Sequence, residues 1–210
     1  MIRYFTVIFT PRLCINEKIS NFTLVKKVTG IILAGGYSSR MGKDKGLIKY
    51  QGKHLINYSV KVFRQFCDEI IISSNSKNYD FLPYKIVKDK VPTQGPLAGI
   101  YSCMLESSND INLILPCDTP NVKKELFDYI LQNVQNYETV VPYETEGKLE
   151  PLCAYYNKSL LPVFKKFIDD KNYRIPDIYK IVKFKALEIN KQLSFYSETL
   201  FKNINYPEDL

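Results

Sequence analysis

The run Val28-Thr29-Gly30-Ile31-Ile32-Leu33 leads without a break into Ala34-Gly35-Gly36-Tyr37-Ser38-Ser39-Arg40-Met41-Gly42-Lys43-Asp44-Lys45, and these two stretches together decide the fold. The first is short and apolar, as expected of a strand buried on both faces of a parallel sheet. In the second, glycines at 35, 36 and 42 let backbone amides approach an anion closely, Ser38 and Ser39 add hydroxyl donors, and Arg40, Lys43 and Lys45 add cations. A strand feeding a phosphate cradle is the physical reading. The cradle is not a Walker A loop, because Gly36 and Gly42 enclose five residues and Lys43 is followed by Asp44 rather than Ser or Thr. It is not G-x-G-x-x-G either.

Working outward, strand-like and helix-like stretches alternate. Helices are expected over roughly Leu55–Phe66, Pro96–Leu105, Lys123–Val134 and Ser159–Ile168. Strands are expected over Glu69–Ser73, Lys85–Val87, Asn112–Leu115, Glu138–Val141, Leu152–Tyr155 and Ala186–Ile189. This order predicts an α/β fold: one domain of three αβα layers around a mostly parallel, Rossmann-like sheet, with ligands at the carboxyl ends of the strands. Residues 1–24 read differently, as an N-terminal extension produced by a mis-assigned start, with residues 25–210 forming the domain. Phe5-Thr6-Val7-Ile8-Phe9 is cut short by Pro11 and has no small-x-small site behind it, so it does not read as a signal peptide.

Length and composition agree with one globular unit. The chain has 210 residues, 45% hydrophobic and 24% charged, which argues against disorder, collagen and coiled coil. No stretch approaches the ~18–20 unbroken apolar residues of a membrane span. The net charge of +7 favours anionic partners. It is concentrated between Lys158 and Lys191, where nine basic residues face four acidic ones. No nucleic-acid-binding pattern organises that patch, so a phosphorylated small molecule is the better expectation. Five widely spaced cysteines without C-x-x-C point to a reducing, cytoplasmic setting rather than to disulfides or zinc. With His54 as the single histidine, no Ser-His-Asp triad or histidine metal cluster can form.

Four segments in order carry a family resemblance: Leu33-Ala34-Gly35-Gly36 with Arg40-Met41-Gly42 and Asp44-Lys45; Gly95-Pro96-Leu97-Ala98-Gly99; Pro116-Cys117-Asp118-Thr119-Pro120; and Asn203-Ile204-Asn205-Tyr206-Pro207-Glu208-Asp209-Leu210. Together they resemble the molybdenum cofactor guanylyltransferases, the MobA-like nucleotidyltransferases. The resemblance implies transfer of GMP from GTP to the terminal phosphate of molybdenum-molybdopterin, with Mg²⁺ as cofactor. It also implies a monomer, with the molybdenum insertase and molybdoenzyme chaperones as candidate protein partners. Attack by an anionic phosphate on the α-phosphorus needs cations, a metal and alignment, and no general base.

Asp118 ends the apolar run Leu113-Ile114-Leu115, so its carboxylate would emerge at the ligand edge, where Mg²⁺ needs oxygen donors. A helix N-cap is the competing reading. Lys45 matches the family lysine that contacts GTP, and Arg40 would assist it; these two and Asp118 form the expected catalytic set. Leu33, Ala34, Gly35 and Gly36 match the nucleotide-binding loop. Asp89 corresponds to the guanine-reading aspartate, since one carboxylate can accept from both N1–H and the exocyclic amine. Its neighbours Lys88 and Lys90 keep a solvated loop charge as the alternative. Ser73 aligns with a family position that contacts GTP, and Asn75 two residues on would share that role. Gly95 and Gly99 bracket a helix start, where amides could face ribose or phosphate or where backbone shape alone requires glycine. Asn203, Asn205 and Arg174 resemble residues of the molybdopterin side, with a turn before Pro207 and a surface cation as the alternatives.

Competing functions are a molybdopterin cytidylyltransferase, whose loop resembles Leu-Ala-Ala-Gly, a sugar-phosphate nucleotidyltransferase, and a nucleotide-binding regulator without turnover. The regulator would have no need of Asp118.

Overall fold

A seven-stranded sheet in the order β11-β9-β10-β8-β1-β6-β7 forms the middle layer. The computed structural model describes residues 27–35, 37–38, 43–91, 95–144, 147–205 and 209. The expectations for residues 1–24, Gly36 and Arg40 lie outside them. The sheet strands are β1 (Val28–Leu33), β6 (Glu69–Ser73), β7 (Lys85–Val87), β8 (Ile111–Pro116), β9 (Thr139–Glu144), β10 (Tyr155–Asn157) and β11 (Phe184–Ile189). Two small ribbons pair β2 (Tyr37–Ser38) with β3 (Lys43–Asp44), and β4 (Lys49–Tyr50) with β5 (Lys53–His54). The helices are α1 (Ile56–Phe63), α2 (Pro96–Glu106), α3 (Lys124–Leu131), α4 (Leu161–Asp169) and α5 (Ile175–Ile178).

All sheet strands run parallel except β10, which is antiparallel to both β8 and β9. Period-two alternation divides the core. Ile32, Ile70, Ile72, Leu113 and Leu115 face one way and meet Ile56, Val60 and Phe63 of α1 and Leu126, Phe127 and Ile130 of α3. Ile31, Leu33, Ile71, Ile114 and Val141 face the other way and meet α2, α4 and α5. Apolar residues at helical spacing explain why α1 and α3 bury one side each. The result is the three-layer αβα arrangement expected from the alternating pattern.

Boundaries differ from expectation in places. The strand expected over Leu152–Tyr155 lies at Tyr155–Asn157, because residues 151–154 form a turn before the chain reverses. Gln51 and Gly52 both adopt positive φ, 46° and 79°, which closes β4 onto β5 and pairs Lys53 with Tyr50 and His54 with Lys49. The short α5 was not expected.

Register sets the position of the site. Leu33 is level with Ser73 and Pro116, and Ser73 with Val87, so the carboxyl ends of β1, β6, β7 and β8 form one row. The backbone crosses this row through Ala34 N–H to Ser73 O (2.9 Å) and Cys117 N–H to Leu33 O (3.0 Å). Every segment that leaves the row starts from a fixed point.

Candidate active site

Three distant segments meet at Lys45. Its Nζ donates to Asp118 Oδ2 at 2.9 Å and to Asn205 Oδ1 at 2.7 Å. Both charged side chains are largely buried, with 27% exposure for Lys45 and 13% for Asp118. Asp118 lies two residues beyond β8, and α3 starts only at Lys124 with Lys123 at its N-cap, so the carboxylate does not cap α3. The C-terminal segment is tied to the same place by Ile204 N–H to Asp118 O (2.8 Å). One cation, one carboxylate and one amide oxygen thus sit at the carboxyl edge. Removing either charge would leave the other poorly compensated.

Within the expected cradle, Tyr37 pairs with Asp44 and Ser38 with Lys43. A residue not anticipated from the sequence supports it. Tyr79, fully buried on the segment after β6, donates its hydroxyl to Asp44 Oδ1 and lies 3.4 Å from Ala34 O. Burial first, and then nearby negative groups including Asp44, push its phenol upward, so it remains a donor. The available signal was a lone aromatic in the polar stretch Ser76-Lys77-Asn78-Tyr79-Asp80. Cys117 is buried, and burial together with Asp118 pushes its thiol far above the usual range, so it packs and does not attack.

A second node lies along the same edge. Asp89, two residues beyond β7, accepts from Asn75 Nδ2 at 2.8 Å, while its own N–H donates to Asn75 Oδ1 at 2.9 Å. Lys90 N–H donates to Ser102 Oγ on α2 (2.8 Å), and the Lys90 ammonium pairs with Glu106 rather than with Asp89. Ser73 is only 3% exposed, its hydroxyl packed against α2 beside Gly99 and Cys103. Its side chain is therefore engaged within the core. A Cβ on Gly99 would come within 2.4 Å of Ser73 Oγ and 3.5 Å of Asp89 Oδ1, so close approach of α2 requires this glycine. Gly99 is buried within α2. Gly95 has φ 96° at the N-cap of α2, a conformation that suits glycine.

The other expected residues fall around these nodes. Leu33 and Ala34 are buried and Gly35 is exposed at the end of β1. Asn203 is exposed and, with Asn205, Glu144, Lys148, Glu150 and Lys202, lines a cavity of about 310 Å³ beside the lysine node. Arg174 is not brought into either node. Its side chain is 81% exposed and its Nε lies 4.0 Å from Asp177.

The family model described as the MobA-like NTP transferase domain matches residues 30–183. The chain belongs to this family. A probable molybdenum cofactor guanylyltransferase of Flavobacterium johnsoniae is 32% identical over 186 residues, covering 89% of this chain and 96% of the relative. One from Carboxydothermus hydrogenoformans is 35% identical over 191 residues, covering 88% and 94%. Among solved structures, a protein of Aquifex aeolicus VF5 superposes with TM-score 0.72 at 28% identity, covering 87% and 96%. The molybdopterin-guanine dinucleotide biosynthesis protein A of Archaeoglobus fulgidus shares the fold, with TM-score 0.74 at 22% identity and coverage of 86% and 94%.

Members of this MobA-like family are nucleotidyltransferases, and the donor set suits that chemistry. Among the described residues no group of three or more His, Cys, Asp or Glu side chains could hold a metal. One carboxylate at the carboxyl edge of the sheet fits Mg²⁺, which takes one or two protein carboxylates and completes its shell with water and substrate phosphates. It does not fit a cage of protein ligands.

Proposed function

We propose that the chain is a molybdenum cofactor guanylyltransferase, joining GMP from GTP to the terminal phosphate of molybdenum-molybdopterin. The observation that carries this reading is the meeting of Lys45, Asp118 and Asn205 at the strand ends, in a chain that aligns over most of its length with relatives of that name. An oxygen of the acceptor phosphate attacks the α-phosphorus of GTP; the new O–P bond forms as the bond to the β-phosphate oxygen breaks, and pyrophosphate leaves. The attacking oxygen is already anionic, so no base is needed, consistent with His54 lying in the β5 ribbon.

Lys45 turns its ammonium from Asp118 to the triphosphate and offsets charge on the leaving pyrophosphate. Asp118, so released, would hold Mg²⁺, which supplies charge neutralisation across the phosphate oxygens. Arg40 adds a second cation. Leu33, Ala34, Gly35 and Gly36 present backbone to the nucleotide, Gly95 shapes the turn into α2, and Asp89 accepts from guanine. Asn203 and Asn205 lie on the acceptor side. The free thiols Cys67, Cys103, Cys117 and Cys153 fit a cytoplasmic setting.

The test supplies each of the four NTPs with Mg²⁺ and molybdenum-loaded molybdopterin and measures pyrophosphate release. GTP should be strongly preferred; preference for CTP would overturn the reading. Residues 1–24 are proposed to be dispensable, since β1 is anchored at its start by Val28 N–H to Asp68 Oδ2 (2.9 Å) and Asp68 N–H to Val28 O (2.9 Å). Deleting residues 2–24 should leave kcat/KM unchanged in the same assay.

A further inference from the structure

We propose that Asn75 is a positioning residue for base selection, acting through Asp89 rather than on the nucleotide. The proposal rests on the reading of Asp89 as the guanine acceptor. Asn75 uses both ends of its amide on one partner: Nδ2 donates to Asp89 Oδ2 (2.8 Å) and Oδ1 accepts from Asp89 N–H (2.9 Å). Two hydrogen bonds of opposite polarity close a ring that fixes the backbone and the carboxylate of Asp89 together. The amide dipole holds Oδ2 without neutralising its charge, whereas a cation there would weaken its attraction for base N–H groups.

Among the described residues no ion pair reaches this carboxylate, and the adjacent Lys90 is engaged elsewhere. Lys90 is drawn to Glu106, and its backbone N–H is held by Ser102 (2.8 Å). Oδ1 is left pointing past Gly99, 3.5 Å from where a Cβ would stand. The carboxylate is thus aimed before any base arrives, so the ordering cost falls on folding rather than on binding.

The test compares Asn75→Ala and Asn75→Asp, alone and combined with Asp89→Ala. Asn75→Asp keeps the acceptor for the Asp89 N–H but sets a carboxylate where the amide donor was, which repels Asp89. Both single variants should raise KM for GTP roughly tenfold, with kcat at saturating GTP changed less than about twofold and a smaller effect on ITP, which lacks the exocyclic amine. The Kd of a fluorescent GTP analogue, measured without acceptor, should rise in parallel. In the Asp89→Ala background neither change should add anything.

Wild-type behaviour of Asn75→Asp would reduce Asn75 to a backbone support and overturn the proposal. So would multiplication of the Asn75 and Asp89 effects, which would indicate a direct nucleotide contact. If Asp89→Ala by itself left KM and the GTP/ITP ratio intact, the base-reading assignment would be the part that failed, and the proposal would fall with it.

Discussion

Asp118 and Asp89 leave the same row of strand ends, yet their surroundings are opposite. Asp118 is paired with an ammonium at 2.9 Å, and the same ammonium binds Asn205. Asp89 is held by an amide and a backbone ring, while the adjacent Lys90 is committed to Glu106. A charge compensated in the free protein can exchange its cation for a metal ion when a polyphosphate arrives to take the lysine. A charge held by dipoles keeps its full attraction for donors on a neutral base. The two carboxylates should therefore separate chemistry from selection.

The largest effects should come from the lysine node. Lys45→Ala and Asp118→Asn should each lower kcat by roughly 100-fold or more, the scale for losing a preorganised electrostatic stabiliser, with the GTP/ITP ratio unchanged. Asp118→Asn should also need more Mg²⁺ for half-maximal rate. Wild-type turnover in both variants under saturating GTP and Mg²⁺ would show that this node does not perform the transfer. Steady-state kinetics at varied metal concentration provides the measurement.

Next comes Asp89→Asn, which puts a donor against a guanine donor. kcat/KM for GTP should fall about 5- to 150-fold and that for ITP less, because a badly paired donor costs ~1–3 kcal/mol. Equal losses for both nucleotides would merge the two carboxylates into one role and break the comparison.

Tyr79→Phe should act on the support beneath the cradle. Removing the hydroxyl leaves Asp44 and Ala34 O without it, at a cost of about 1–2 kcal/mol in urea unfolding, with KM for GTP raised and nucleotide discrimination intact. A loss of discrimination would tie the cradle to base reading after all.

The smallest effect belongs to Glu106. Lys85 first, and then Lys90, hold its carboxyl at about 2, below the usual 4.5. A depressed folded pKa contributes stability that is present above 4.5 and is lost as the pH falls toward 2. The difference in urea midpoint between wild type and Glu106→Gln should therefore shrink across that window and with added salt. The same variant frees Lys90 and should raise KM for GTP less than about threefold, a direct measure of how much an uncommitted cation weakens Asp89.

Much of this was legible in the chain. Val28–Leu33, Glu69–Ser73 and Lys85–Val87 stand as strands at the boundaries expected from their apolar runs. The helix expected from Pro96 extends one residue beyond Leu105, to Glu106. Near-complete burial of β1 and β6 gives those two segments a signal that depends on composition alone. The turn at residues 151–154, the β4–β5 ribbon and α5 were harder, because two- to four-residue elements take their shape from what they pack on. For the candidate site, Lys45, Asp118 and Asn205 were expected from motifs, and the fold brings them together. Ser73, expected at the nucleotide, ends β6 with its hydroxyl packed beside Gly99, while Arg174 stays at the surface.

The sequence by itself determined the strand–cradle order, the one-domain α/β class and the residue types a phosphate chemistry needs, because period-two and helical patterns and glycine spacing are local properties. Only the tertiary structure decided which partners those residues have. That Lys45 reaches residues 118 and 205, that Asn75 closes on Asp89, that Lys90 turns to Glu106 and that Tyr79 lies under Asp44 are all pairings across long stretches of chain. Such pairings follow from strand order and register, which set the ends of β1, β6, β7 and β8 in one row, and no local pattern carries that information.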